Sequence, residues 1–406
     1  MKKYGYNYEG IKVNHGKNVA DSVADFYSIF TGDLFEWVAS LWDKESGGFY
    51  FATSARDNEC MEYNGKSYRL LPDIESTSQA IGLIQDTGLT PDNFTFPEPF
   101  RTKVITFLQK LQDPDDGFFY HPQWGKDIGT SRRARDLGNA TWVIEDLGEK
   151  LLYPSAVDRM KGAANNDGGE DKNLIPEHLR SKDAFIEYLD SLNINGNSYS
   201  VGHRIAMQSA QINAVGLTDV CIDFLNAHQY ENGLWENELT YRASNGLLKI
   251  CGAYNSLNRE FPRLETSLLA SIEVALRKDG VGAVVDVFNP LLTVKSMSQI
   301  AAKCGKPQLL KGANDIIHEN AVKLISCTKN KLELFRKSDG GFSYALNGTS
   351  VTSQGVPVAL PGIPESDMNA TSMAKATARL LMRALGIDSG LPYTSEDGEE
   401  FFALLK

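Results

Sequence analysis

The feature that most restricts the fold of this chain is a short phrase, glycine followed by an aromatic residue, that keeps returning. It reads Ser46-Gly47-Gly48-Phe49-Tyr50, then Asp116-Gly117-Phe118-Phe119-Tyr120, Asn232-Gly233-Leu234-Trp235, and Asp339-Gly340-Gly341-Phe342-Ser343-Tyr344. Each copy follows an amphipathic segment. Before the second, Phe100, Val104, Phe107, Leu108 and Leu111 share one helical face, which predicts a helix ending at the turn. A second phrase follows each turn after a loop: Asp73-Ile74-Glu75-Ser76-Thr77-Ser78-Gln79-Ala80, Asp136-Leu137-Gly138-Asn139-Ala140-Thr141-Trp142-Val143, and Asp367-Met368-Asn369-Ala370-Thr371-Ser372-Met373-Ala374. A leading acid, small polar residues and then aliphatic ones describe a capped helix start whose apolar body is buried on every side. Trp142, inside such a body, is read as core. Weaker copies at Leu192–Tyr199 and Arg277–Gly282 bring the hairpins to six.

Repeated hairpins bury their apolar faces on one another, and six inner helices ringed by six outer ones close without special end caps. The expected fold is all-α, an (α/α)6 toroid of six helical hairpins, with residues 1–406 as a single domain. Its 42% apolar residues suffice for a large core. Gly162 to Pro176 reads as a mobile loop and the Pro-rich Thr90 to Pro99 as a rigid connector. Glu396 to Lys406 reads as a closing helix anchored by Phe401, Phe402, Leu404 and Leu405. Strand is confined to a short hairpin at Gly48 to Thr53 or Gly341 to Ala345.

A net charge of −11 argues against nucleic acid as a partner, because phosphate binding needs a basic face. The start, Met1-Lys2-Lys3-Tyr4-Gly5-Tyr6-Asn7, has no apolar run after its lysines, so no secretory signal is expected. No stretch approaches membrane-spanning length. Cys60, Cys221, Cys251, Cys304 and Cys327 are odd in number and lack Cys-x-x-Cys pairing, which suggests reduced thiols and a cytoplasmic location.

With Gln112-Asp113-Pro114-Asp115-Asp116-Gly117-Phe118 and Ser338-Asp339-Gly340-Gly341-Phe342, the chain resembles the α/α-toroid superfamily of terpenoid cyclases and protein prenyltransferases. There too a Gln/Asp-Gly-Gly-Phe turn links an outer helix to an inner helix opening with Asp and small residues. The resemblance spans nearly the whole chain and implies a fold more than a chemistry, since glycosidases and polysaccharide lyases use similar helical barrels. Asp113-Pro114-Asp115-Asp116 has the spelling of the Asp-x-Asp-Asp acid motif of class II cyclases but sits inside the glycine turn, where acids and Pro make the turn. Asp219-Val220-Cys221 with His228 has the spacing of the prenyltransferase zinc ligands but reads as an outer helix. No metal and no cofactor is therefore expected. The thioester Cys-Gly-Glu-Gln and the phosphate loop Gly-x-x-x-x-Gly-Lys are absent.

Parallel inner helices would bring their N-termini to one rim, lined by the loops Ser54 to Glu75, His121 to Asp136, Ser198 to Arg204, Glu236 to Asn245 and Tyr344 to Asp367. Two chemical themes share that rim. One is paired carboxylates, Asp73 or Glu75 opposite Asp136, Glu365 or Asp367, able to supply the acid and base of glycoside hydrolysis or, at helix starts, simply to cap. The other is basic and aromatic: Arg56, Arg132, Arg133, Arg135, Arg204 and Arg242 with His121, Trp124, Tyr199 and Tyr241, suited to an anionic or sugar-like substrate. His203 with Tyr199 could instead remove a proton beside a uronate carboxylate. The leading expectation is a carbohydrate-active hydrolase of a soluble, anionic oligosaccharide, a small-molecule partner. The alternatives are a lyase using Tyr, His and Arg, a terpenoid cyclase or prenyltransferase-like enzyme, and a non-catalytic binding toroid.

Overall fold

In a computed structural model of the chain, each glycine turn closes a helical hairpin. The structure describes residues 5–30, 32–58, 60–85, 87, 89, 96–156, 158, 176–278, 280–387 and 392–406. The outer helices are Asp33–Ser40, Phe100–Lys110, Lys182–Asp190, Thr218–Ala227, Leu264–Ala275 and Ala321–Glu333. The inner helices that follow them are Ile74–Gln85, Thr130–Asp146, Ser198–Ala214, Tyr241–Leu257, Val285–Lys303 and Met368–Ala384. The class is thus all-α, mostly helix with outer and inner helices alternating along the chain. By packing, the chain divides into one unit of residues 1–166, 332–379 and 388–406 and a second of residues 167–331 and 380–387. No helix among the described residues is long and apolar enough to cross a membrane.

The turn recurs because its backbone and its packing both exclude a side chain. Gly117 has φ +74°, and a Cβ there would lie 2.3 Å from the carbonyl oxygen of Pro154. Gly340 has φ +110°, and its Cβ would lie 2.5 Å from the carbonyl oxygen of Asp33. Within the first unit, the turn of the last repeat therefore packs on the outer helix of the first.

The two phrases are joined by hydrogen bonds that repeat as faithfully as the letters. Phe49 N–H donates to the Thr77 hydroxyl at 2.9 Å, while Asp73 N–H donates to Phe49 O at 3.2 Å. In the last repeat Phe342 N–H donates to the Thr371 hydroxyl at 3.0 Å, and Asp367 N–H to Phe342 O at 2.9 Å. A threonine four residues after the acid thus satisfies a buried turn amide.

Around this frame the first unit adds helices Tyr8–His15 and Lys17–Tyr27, the short helix Thr53–Asp57 and the C-terminal helix Ser395–Leu404. Thr394 and Asp397 form a capping box at the start of the last helix, and Phe401 is buried against Phe35. Leu404, expected as an anchor, is 59% exposed. Among the described residues, the named strands form antiparallel pairs at 42–43 with 48–49, 61–63 with 66–68, and 352–353 with 356–357, beside isolated bridges such as Phe49 with Asp73 and Ala52 with Asp367. Residues 162–175 of the expected mobile loop and 90–95 of the Pro-rich connector lie outside the described residues. All five cysteines are unpaired.

The second unit packs inner helices 198–214, 241–257 and 285–303 in sequence, with outer helices 182–190, 218–227 and 264–275 and the additional helix Pro307–Glu319. Cys221 is buried on an outer helix, and Trp235 of the third turn donates its indole N–H to Leu225 O at 2.8 Å.

Candidate functional site

Two helix starts in the first unit are capped as their sequence suggests. Asp73 accepts from Ser76 N–H at 3.1 Å and from the Ser76 hydroxyl at 2.6 Å. Asp367 accepts from Ala370 N–H at 2.7 Å and Tyr344 N–H at 2.8 Å. The third acid departs from the pattern. Helix Thr130–Asp146 begins six residues before Asp136, so Asp136 lies in its second turn rather than at its start. Nothing between Thr130 and Asp136 breaks a helix, and Arg132, Arg133 and Arg135 ride on it instead of on a loop.

That shift builds the central cluster. Arg132 is fully buried and divides its guanidinium among three carboxylates. Its Nε donates to Asp136 Oδ2 at 3.0 Å, Nη1 to Glu75 Oε2 at 3.0 Å, and Nη2 to Asp73 Oδ1 at 3.1 Å. Arg135 pairs with Glu75 Oε1 at 3.1 Å, Gln79 Nε2 donates to the same oxygen at 3.2 Å, and the Ser353 hydroxyl donates to Oε2 at 2.6 Å. Gln79 also donates to Asn369 Oδ1 at 2.9 Å, so helices 74–85, 130–146 and 368–384 meet here. The Trp124 ring covers Arg132 Cζ at 4.4 Å and donates its N–H to Pro357 O at 3.2 Å. His121 lies 5.1 Å from that ring.

Charge then decides the protonation. Were all three acids ionised, the two arginines would leave one negative charge uncompensated in the interior. Burial pushes the Asp136 carboxyl up to about 7, Asp73 and Glu75 add to the rise, and Arg132 opposes it. Asp136 Oδ1 also lies 2.9 Å from Arg132 Nε but accepts no hydrogen bond. Burial also drives the His121 imidazole down to about 4, so it stays neutral, and its Nδ1 accepts from Gln123 N–H. Arg132 cannot serve as the open anion site expected of it, since its nitrogens are already engaged.

Glu365 and Asp367 form a separate group. Glu365 Oε2 accepts from Ser54 N–H at 2.8 Å, and burial raises its carboxyl. Burial raises Asp367 to about 7 against the N–H groups that cap it. Arg56 turns to Asp57 at 2.6 Å and to Ser40 O, and Arg133 reaches Lys126 O and Ile128 O. In the second unit, Tyr199, His203 and Arg204 ride on helix 198–214, Tyr199 being 43% exposed. Tyr241 is buried beneath Lys331 Nζ, and Arg242 is an exposed partner of Glu236 and Gly196 O.

One further expectation needs correcting. Helix 130–146 is not buried on every side: Ser131, Gly138, Trp142 and Glu145 face solvent, with Arg135 partly open beside them. Trp142, read as core, is 41% exposed. Sequence reasoning also missed Gln79, Asn369 and Ser353. Asn369 carries a weak signal, since Asp-x-Asn at its helix start matches Asp-x-Glu at Glu75; Gln79 carries none, and Ser353 reaches Glu75 from 278 residues away.

No family model matches the chain, and no curated protein matches it. A type II terpene cyclase from Scytonema, in complex with its product merosterolic acid A, is similar over 90% of this chain and 98% of its own, at 11% identity and a TM-score of 0.38.

Proposed function

We propose that the first unit carries an acid-catalysed reaction on a small molecule, begun by a proton from Asp136. The observation that carries this reading is a helix-interior carboxyl with no capping role, one oxygen that accepts no hydrogen bond, and burial that raises it to about 7. Arg132 would hold the charge left on Asp136 after transfer, and the carboxyl would regain its proton as the product loses one.

Glycoside hydrolysis fits this arrangement less well. It needs a second carboxylate free to activate water or attack the sugar. Here Glu75 is occupied by Arg132, Arg135, Gln79 and Ser353, and Asp73 caps its helix. Within the Arg132 cluster, one donor without a free base suits protonation of an alkene or epoxide, the isoprenoid-cyclase type of chemistry. The test is to incubate the protein with isoprenoid alkenes and epoxides and, separately, with oligosaccharides, and to weigh the products. An isomer of unchanged mass, lost in Asp136→Asn, supports the proposal. A product that has gained water, or turnover that survives in Asp136→Asn, refutes it.

A further inference from the structure

The open stripe of helix 130–146 contains a glycine that internal packing does not require. A Cβ built on Gly138 would meet nothing within 4 Å, and its φ is not in the left-handed region. Without a side chain there, the backbone at Gly138 is bare between Arg135 and Trp142. Gly82 on the neighbouring helix is different: its Cβ would lie 3.3 Å from the Trp142 ring, so this glycine makes room for the indole. Trp142 is thereby laid across helix 74–85 with 41% of its surface exposed. At the other end of the stripe stands Arg135, its side chain 38% exposed. Nη1 is engaged by Glu75, and among the described residues Nε and Nη2 have no hydrogen-bond partner. Arg135, Gly138 and Trp142 fall at i, i+3 and i+7, one face spanning about 10 Å.

We infer that this face is a ligand-binding surface for an elongated molecule with an anionic oxygen group at one end and an apolar chain. The anion takes the free edge of Arg135, the chain crosses the bare backbone at Gly138, and its far end packs against the Trp142 ring. Through Glu75, Arg135 is also joined to the Arg132 cluster that holds Asp136. As the substrate surface of the reaction proposed above, this inference rests on that reading, but binding can be measured without turnover.

The probes are dodecanoate and dodecyl phosphate, with dodecanol as the uncharged control, titrated calorimetrically into the full chain. Binding of either anion at least about tenfold tighter than dodecanol is expected, with that preference lost in Arg135→Gln. Gly138→Leu fills the notch and should weaken binding at least about tenfold while its melting temperature stays at or above that of the parent. Gly312→Ala, an exposed helical glycine with nothing within 4 Å of its Cβ, is the control that should raise the melting temperature and leave binding alone. Undiminished binding by Gly138→Leu, or equal binding of dodecanol and the anions, overturns the inference. Asp136→Asn should bind like the parent. If the parent binds but turns nothing over, the surface stands and the acid chemistry falls.

Discussion

Asp136→Asn should change the pH dependence of stability in a direction set by the cluster. Asparagine is close to an isostere of the protonated acid, keeping an acceptor for Arg132 and losing the ionisation. Burial takes the carboxyl from its ordinary 3.8 to about 7. Between those values the folded chain holds a proton that the unfolded chain has released. Stability of the parent therefore falls as pH rises through this window and levels off above about 7. The full difference corresponds to roughly 4 kcal/mol at about 1.36 kcal/mol per decade, of which roughly 2.7 kcal/mol lies between about pH 5 and pH 8. Dielectric relaxation around the cluster should reduce this by about half, to about 1–2 kcal/mol. Asp367, raised into the same range, titrates equally in both proteins and cancels in the difference. Thermal melts of the two proteins at about pH 5 and pH 8 give the comparison directly, and the variant should gain on the parent as pH rises. A difference that does not change with pH, or that moves the other way, would refute the protonated Asp136 and the acid role built on it.

Removing Arg132 leaves three buried acids without their common partner, so Arg132→Met should cost about 3–5 kcal/mol in a melt near neutrality, with part recovered at acid pH. Gly117→Ala should destabilise by well over the roughly 1–2 kcal/mol of left-handed strain, because its Cβ would strike Pro154 O. Gly65→Ala, with φ +73° and nothing within 4 Å, should show the strain alone, and equal losses at the two sites would contradict the packing account. Thr77→Val and Thr371→Val should each cost about 1–3 kcal/mol by orphaning the Phe49 or Phe342 amide, measured by chemical denaturation with Thr→Ser as the milder control.

What could be read without coordinates was whatever local rules control. The glycine turns were legible because a positive φ and a crowded carbonyl exclude every other residue, as at Gly117 and Gly340. The capping acids Asp73 and Asp367 were legible because a helix start needs acceptors for its free N–H groups. The same reasoning failed at Asp136, whose phrase matches theirs while its helix begins earlier, at Thr130. Letters resembling a cap do not reveal whether the preceding turn is already helical.

By itself, then, the amino-acid order determined the all-α class, the six hairpins and the pool of charged residues near the inner-helix starts. Only tertiary structure decided which acids share Arg132, which acid carries the proton, and that Trp142 stands open. Those outcomes depend on distance, burial and summed charge between segments as far apart as Glu75 and Ser353. Propensity and periodicity act over a few residues, whereas a carboxyl's proton answers to every charge around it, whatever its place in the chain.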